Sequence, residues 1–357
     1  MKRRKFIERG LIAIIGFFIM SNKLIANQIF KSALFNDGIF HNNFISHNVS
    51  SFKKFLQWRK ESKKPDPITF PLAKNDPEFL KNNRKIHTIT WIGHASFLIQ
   101  IAGLNILTDP HMSEKASPFS FAGPSRTTPV GLKIEDLPKI DLIVISHNHY
   151  DHLDKRTIRQ LIKKQQDNQP LILVPLKLKK LLEKFGAKNV QELGWWDNTI
   201  IKSIKIHSVP VQHWSKRSFT DTNKSLWCGW VIDAPNYRTF FCGDTGYSKD
   251  FGLIQQKFKY MDLSLIPIGA YAPRWFMKYH HCNVEEAIQI HKDIKSKRSI
   301  GMHWGTFILT DEPMREPVEK LEQLLEDGCQ DINCFFIPSG QLTDSIYQFR
   351  SSFSDHY

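Results

Sequence analysis

Three histidines and two carboxylates fall within eight residues at His147-Asn148-His149-Tyr150-Asp151-His152-Leu153-Asp154, in the pattern H-x-H-x-D-H. Imidazole nitrogens and carboxylate oxygens are the donors that borderline cations such as zinc prefer. Alternation along one turn lets His147 and His149 serve one ion while Asp151 and His152 serve another. Residue types and spacing together point to a metal site rather than to solvated loop histidines.

Such a cluster needs a rigid base. Residues 140–145 (IDLIVI) are short, β-branched and apolar, as a strand buried on both faces should be. Residues 154–162 read as an amphipathic helix capped by Asp154. The histidines then sit at the carboxyl end of a central strand, where open α/β sheets bind ligands.

The arrangement recurs along the chain. Strands predicted at 88–92, 95–101 and 104–108 form a hairpin-like run that ends at Asp109-Pro110. A strand at 170–175, a helix at 176–185 stopped by Gly186, and a strand at 189–193 follow. Apolar strands at 204–209, 239–242, 263–268 and 299–302 lead to His213, Asp244, Gly269 and His303. Converging strand ends bring His147, His149, Asp151, His152, His213, Asp244 and His303 to one rim, a two-metal site with Asp244 shared. Two ions about 3.5–4 Å apart would turn a shared water into hydroxide near neutral pH. Asp109 is either a simple turn residue or a carboxylate that orients a metal-binding histidine.

The 357 residues suffice for one large domain or two modest ones. The net charge of +14 is unevenly placed: residues 1–64 carry 13 Lys/Arg against Glu8, Asp37 and Glu61, whereas the catalytic half is close to neutral. This argues against nucleic acid and for an anionic membrane surface or a targeting signal. Lys2-Arg3-Arg4-Lys5 followed by an uncharged run of 11 residues, 10–20, reads as a signal peptide or an uncleaved membrane anchor over residues 1–27. Arg3-Arg4 resembles a twin-arginine signal, giving an exported, periplasmic or membrane-associated location. Five cysteines without C-x-x-C spacing indicate neither a cysteine zinc site nor a disulfide framework.

Residues 28–85 form a basic, weakly periodic extension. Residues 52–58 (FKKFLQW) predict a short amphipathic helix whose aromatics face either a core or a lipid surface. The catalytic domain is expected over 86–345, with a tail at 346–357.

The stretches W-I-G-H-A-S (91–96), L-T-D-P (107–110), I-S-H-N-H-Y-D-H-L-D (145–154), Q-H-W-S-K-R (212–217), G-D-T-G-Y (243–247), I-P-I-G-A-Y-A-P-R-W-F-M-K-Y (266–279) and H-W-G-T-F (303–307) resemble the N-acyl-phosphatidylethanolamine phospholipase D family of the metallo-β-lactamase superfamily. The resemblance covers roughly residues 86–345 and implies an α/β metallo-β-lactamase fold, the αββα four-layer sandwich, with two zinc ions in its cleft. Iron or manganese would suit the same donors. Carried over by position, His147, His149 and His213 hold the first ion, Asp151, His152 and His303 the second, and Asp244 bridges them. Asp109 matches the family's acidic residue and His281 a histidine important for activity, whereas His280 departs from the pattern. Family members resemble dimers, so a homodimer is expected on that ground alone.

The implied reaction is hydrolysis of a phosphodiester lipid at phosphorus by a metal-bridging hydroxide, giving phosphatidic acid and N-acylethanolamine. His281 is the candidate for contacting the phosphate or protonating the leaving group; otherwise it simply flanks a helix beginning at Val284, capped by Asn283 with Glu286. Arg274, Trp275, Lys278 and Tyr279 mix cations with large apolar groups, as a phospholipid headgroup beneath acyl chains would require. A lactonase or other acyl hydrolase would use the same centre on a carbonyl. A non-catalytic metal-binding protein would have no need of seven donors and Asp109.

Overall fold

The computed structural model describes residues 30–45, 52–72, 75–326 and 335–336. The chain divides into two compact units, Met1–Ser32 and Ala33–Tyr357, and the described strands and helices all belong to the second. The expected signal segment, Cys329, Cys334 and the tail at 346–357 lie outside the described residues.

Fifteen strands are described: β1 Leu34–Asn36, β2 Ile39–His41, β3 Thr88–Gly93, β4 Ser96–Ile101, β5 Leu104–Thr108, β6 Leu142–Val144, β7 Leu171–Pro175, β8 Val190–Leu193, β9 Asn198–Ile201, β10 Ile204–Val209, β11 Gly229–Ala234, β12 Tyr237–Phe241, β13 Leu263–Pro267, β14 Ser299–Met302 and β15 Phe335–Phe336. They build a six-stranded sheet in the order β3-β4-β5-β6-β7-β8 and a seven-stranded sheet in the order β15-β14-β13-β12-β11-β10-β9; β1 and β2 form a separate hairpin.

Each large sheet begins as an antiparallel meander and continues in parallel. In the first, β3, β4 and β5 alternate direction, then β5 to β8 run together. In the second, β9 to β12 alternate, then β12 to β15 run together. The parallel parts are apolar because both faces are covered. Ile143, Ile172 and Val174 pack with Ile158 and Leu161 of the helix Lys155–Lys164 and with Leu182 of the helix Lys179–Phe185. The helix Val284–Asp293 lies along β13 on the other sheet. Between the sheets, the Trp230 indole N–H donates to the Ile145 carbonyl at 3.0 Å, and the Cys228 N–H to the Ser146 carbonyl at 2.9 Å. The layers are those of the expected αββα sandwich.

Asp154 caps the helix Lys155–Lys164 as expected, and Gly186, at φ 103°, ends the helix Lys179–Phe185. Sequence periodicity misses β9 and β11. β9 alternates between exposed and half-buried positions at a sheet edge, and its one apolar pair, Ile200-Ile201, is too short to stand out.

Much of the segment 28–85, expected as an extension, is built into the body. Trp58, on the helix Phe52–Glu61, stacks on Phe276 at 5.3 Å between centroids and donates to Asp311 at 2.8 Å. Phe70 packs edge-on against Trp304 at 5.1 Å. On the same helix Phe55 and Leu56 are exposed, so its aromatic residues divide between core and surface. Among the described residues no helix is long and apolar enough to cross a membrane. Cys228, Cys242 and Cys282 are buried free thiols.

Candidate metal centre

The shared direction of the parallel strands sends the segments after β5, β6, β10, β12, β13 and β14 to one end of the sandwich, and all seven sequence-predicted donors meet there. They fall into two groups in which the ligand atoms lie within 4.8 Å of one another. One is His147, His149, His213 and Asp244; the other is Asp151, His152 and His303 joined by His94. Asp244 lies between them. Its Oδ2 is 3.9 Å from His147 Nε2, 3.7 Å from His213 Nε2 and 3.1 Å from His152 Nε2, and its Oδ1 is 3.1 Å from His303 Nε2. Gly243, at φ 64°, makes this turn possible, because a Cβ there would lie 2.6 Å from Ser146 Cβ.

Outer hydrogen bonds set which nitrogen each imidazole presents. Asp109 accepts from His152 Nδ1 at 2.7 Å, the His280 carbonyl accepts from His213 Nδ1 at 2.8 Å, and Ser146 Oγ sits 2.9 Å from His147 Nδ1. In each ring this leaves the Nε2 lone pair directed inward, the arrangement metal-binding histidines require. Asp109 also accepts from the Ser146 N–H at 2.6 Å and the Ser146 hydroxyl at 2.5 Å. It thereby holds both Ser146 and His152 while its own backbone, at φ 31°, turns the chain after β5.

The charge distribution fits divalent cations. Burial holds His147 and His213 well below the ordinary imidazole range and His149 at about 4, so these donors are neutral. Burial opposes ionisation of Asp151 and Asp244, yet contact with His152 and His303 keeps both carboxyls well below the usual range. Those carboxylates in turn overcome burial to lift His303 to about 9 and His152 well above its ordinary value, a pull on positive charge that a bound cation would satisfy in place of the inner protons, freeing the Nε2 lone pairs. Donor nitrogens face one another at 2.8 Å (His147 Nε2 to His149 Nδ1), 3.3 Å (His213 Nε2 to His149 Nδ1) and 3.2 Å (His303 Nε2 to His152 Nε2). Two nitrogens bound to one tetrahedral zinc, each about 2.0–2.1 Å from it, would lie about 3.3 Å apart. The residues present fit two cations.

His94 has no role in the sequence reading. It is buried, its Nε2 lies 3.0 Å from Asp151 Oδ2, and its ring is 4.0 Å from that of His303. Its carbonyl accepts from the His303 N–H at 3.1 Å, linking two residues that both adopt left-handed φ, 56° and 64°. Such strain in non-glycine residues concentrates at functional sites. The one available signal was a histidine at the tip of a hairpin between two buried strands.

His281 faces the centre. Its Nδ1 lies 3.9 Å from Asp244 Oδ2 and has no hydrogen-bond partner, and its ring is 5.4 Å from that of His303. The helix-flank role holds as well, since Asn283 and Glu286 form the expected capping box on the helix Val284–Asp293. Burial pushes His281 down to about 3, so it meets a substrate as a neutral imidazole.

Arg274, expected as a substrate contact, is engaged within the chain. Its guanidinium donates to the His281 carbonyl and to Glu286 Oε2, both at 2.7 Å, and so ties the His281 loop to the following helix. A carboxylate twelve residues on has captured the cation. Trp275, Lys278 and Tyr279 are exposed on the same segment.

Residues 104–304 match the model of the beta-lactamase superfamily domain. Fold and match together define a metal-dependent hydrolase of that superfamily. Over 269 residues, 72% of this chain and 75% of the relative, the sequence is 39% identical to N-acyl-phosphatidylethanolamine-hydrolyzing phospholipase D 1 of Caenorhabditis elegans. It is 40% identical over 253 residues, 69% of this chain, to the mitochondrial N-acyl-phosphatidylethanolamine-hydrolyzing phospholipase D of Saccharomyces cerevisiae, of whose length it spans about half (53%). The chain belongs to this phospholipase D family. Solved structures sharing the fold include an isothiocyanate hydrolase from Delia radicum gut bacteria (TM-score 0.55, 21% identity, 71% of this chain and 96% of that one). The diiron β-hydroxylase CmlA from Streptomyces venezuelae is another (TM-score 0.54, 18% identity, 71% of this chain and 53% of that one).

Proposed function

We propose that the protein hydrolyses the phosphodiester of N-acyl-phosphatidylethanolamine, releasing N-acylethanolamine and leaving phosphatidic acid, with plain phosphatidylethanolamine as a further substrate. The observation that carries this reading is the convergence of two complete donor groups beneath His281, in a chain whose relatives carry that activity in their names. His147, His149 and His213 would hold one zinc ion, Asp151, His152 and His303 the other, with Asp244 shared. When bound, two divalent cations lower the pKa of water toward neutrality and polarise phosphoryl oxygens.

The chain's own residues do the rest. Asp109, Ser146 and the His280 carbonyl hold the imidazole protons on the outer nitrogens, so the donors need no reorganisation. Neutral His281 offers an N–H to a phosphate oxygen; its depressed pKa weighs against proton donation to the leaving group. Trp275 and Tyr279, exposed beside Lys278 on the segment leading to His281, face the lipid surface. Membrane-surface association, an exported location and a homodimer complete this reading; the latter two rest on the amino-terminal sequence and on family likeness.

The test supplies the purified protein with N-acyl-phosphatidylethanolamine, phosphatidylethanolamine and an acyl lactone side by side, beside a His147→Ala control. Phosphatidic acid formed only by the unaltered protein supports the reading. Turnover of the lactone alone would replace it with an acyl hydrolase.

A further inference from the structure

We propose that Asn42, in the amino-terminal segment, is a positioning residue for His213 and sets the affinity of the first donor group for its ion. This rests on the reading of His213 as a metal donor. His213 lies four residues beyond β10, whose ladder with β11 ends at the pair Val209–Gly229. Its backbone is buried there, one residue past the isolated bridge of Gln212 to Gly246, and a side chain 171 residues away pairs with both of its backbone groups. Asn42 Nδ2 donates to the His213 carbonyl at 2.8 Å, and the His213 N–H donates to Asn42 Oδ1 at 3.0 Å. The same Oδ1 accepts from the Trp227 indole at 3.1 Å. With the ring nitrogen fixed on the His280 carbonyl, both ends of His213 are held and Nε2 has one direction left.

The clamp is itself anchored. Asn42 is 6% exposed, the Phe40 N–H donates to the Asn223 carbonyl at 2.8 Å, and Asn43 Nδ2 donates to Asp250 Oδ1 at 2.7 Å. Only a carboxamide supplies donor and acceptor together in this geometry. Aspartate keeps the acceptor and loses the donor; alanine loses both and leaves two buried backbone groups unpaired. The residues that match the superfamily model begin at 104, so this contribution comes from outside them.

The experiment measures stepwise Zn²⁺ binding by competition with a chromophoric chelator for Asn42→Ala, Asn42→Asp, Asn43→Ala and His213→Ala. Asn43→Ala removes one anchor of the clamp and leaves the Asn42–His213 pair in place, so it is expected to weaken the same site less than Asn42→Ala does and to spare the other. The proposal predicts that Asn42→Ala weakens one site about 10–100-fold, as loss of an outer partner does, with the other unchanged and Asn42→Asp intermediate. Should Asn42→Ala not fold, weakening of one site in Asn42→Asp carries the same meaning. Wild-type affinities, or equal weakening of both sites, would overturn it. One ion lost in His213→Ala alongside full binding in both Asn42 variants overturns the clamp alone. Full binding in His213→Ala overturns the donor assignment and the clamp with it.

Discussion

Asp109 Oδ2 lies 2.7 Å from His152 Nδ1, and both side chains are wholly buried. The carboxylate fixes the imidazole's tautomer at the one nitrogen that does not face the centre. Asp109→Asn should leave the fold intact and weaken the second donor group about 10–100-fold, since an amide cannot accept from both Ser146 and His152 as the carboxylate does. Metal content after dialysis at graded free Zn²⁺ checks this; two tightly held ions would count against the orienting role.

The His94 ring contacts Asp151 through Nε2, and its carbonyl supports His303. His94→Ala should lower affinity in the same group about tenfold or more and leave the His147, His149 and His213 group as it was. Site-resolved binding of Co²⁺, followed by its visible spectrum, would show which group changes.

Arg274 separates two accounts through kinetics. If it holds the His281 loop through Glu286, Arg274→Ala lowers kcat and leaves KM nearly unchanged. If it binds lipid phosphate, KM rises instead. Trp275→Ala, at an exposed residue, should raise KM on vesicles and spare turnover of a short-chain soluble analogue.

Asp154 accepts from the N–H groups of Arg156 and Thr157 at the start of the helix that follows the donor loop. Asp154→Ala should cost about 1–2 kcal/mol at neutral pH. Burial raises this carboxyl, but His111 and hydrogen bonds from Ser113 and Thr157 outweigh it, so its folded pKa lies below the ordinary 3.8. The contribution is thus fully present above 3.8 and lost as pH falls through the folded value. Urea unfolding at pH 7 and pH 3 should show the gap between variant and parent narrowing in acid; a constant gap would contradict the linkage.

The convergence of the candidate donors was legible because each follows a strand apolar enough to be seen, as with Leu142-Ile143-Val144 before His147. His94 escaped notice since its partners, Asp151 and His303, are brought to it only by the pairing of sheets. Asn42 is a polar residue in a weakly periodic stretch, and nothing in its spacing betrays a partner at 213. Arg274 is the opposite case: cations among aromatics suggest a ligand surface, and only the folded chain shows Glu286 in reach. Local pattern reports on burial, whereas long-range polar pairing does not repeat and leaves no period to read.

The central claim is attack of water at phosphorus, and an isotope decides it. In water enriched in ¹⁸O, with N-acyl-phosphatidylethanolamine as substrate, the phosphatidic acid formed should carry one ¹⁸O and the N-acylethanolamine none, with neither product formed by His147→Ala. Label in the ethanolamine hydroxyl, or in a released fatty acid, would contradict it.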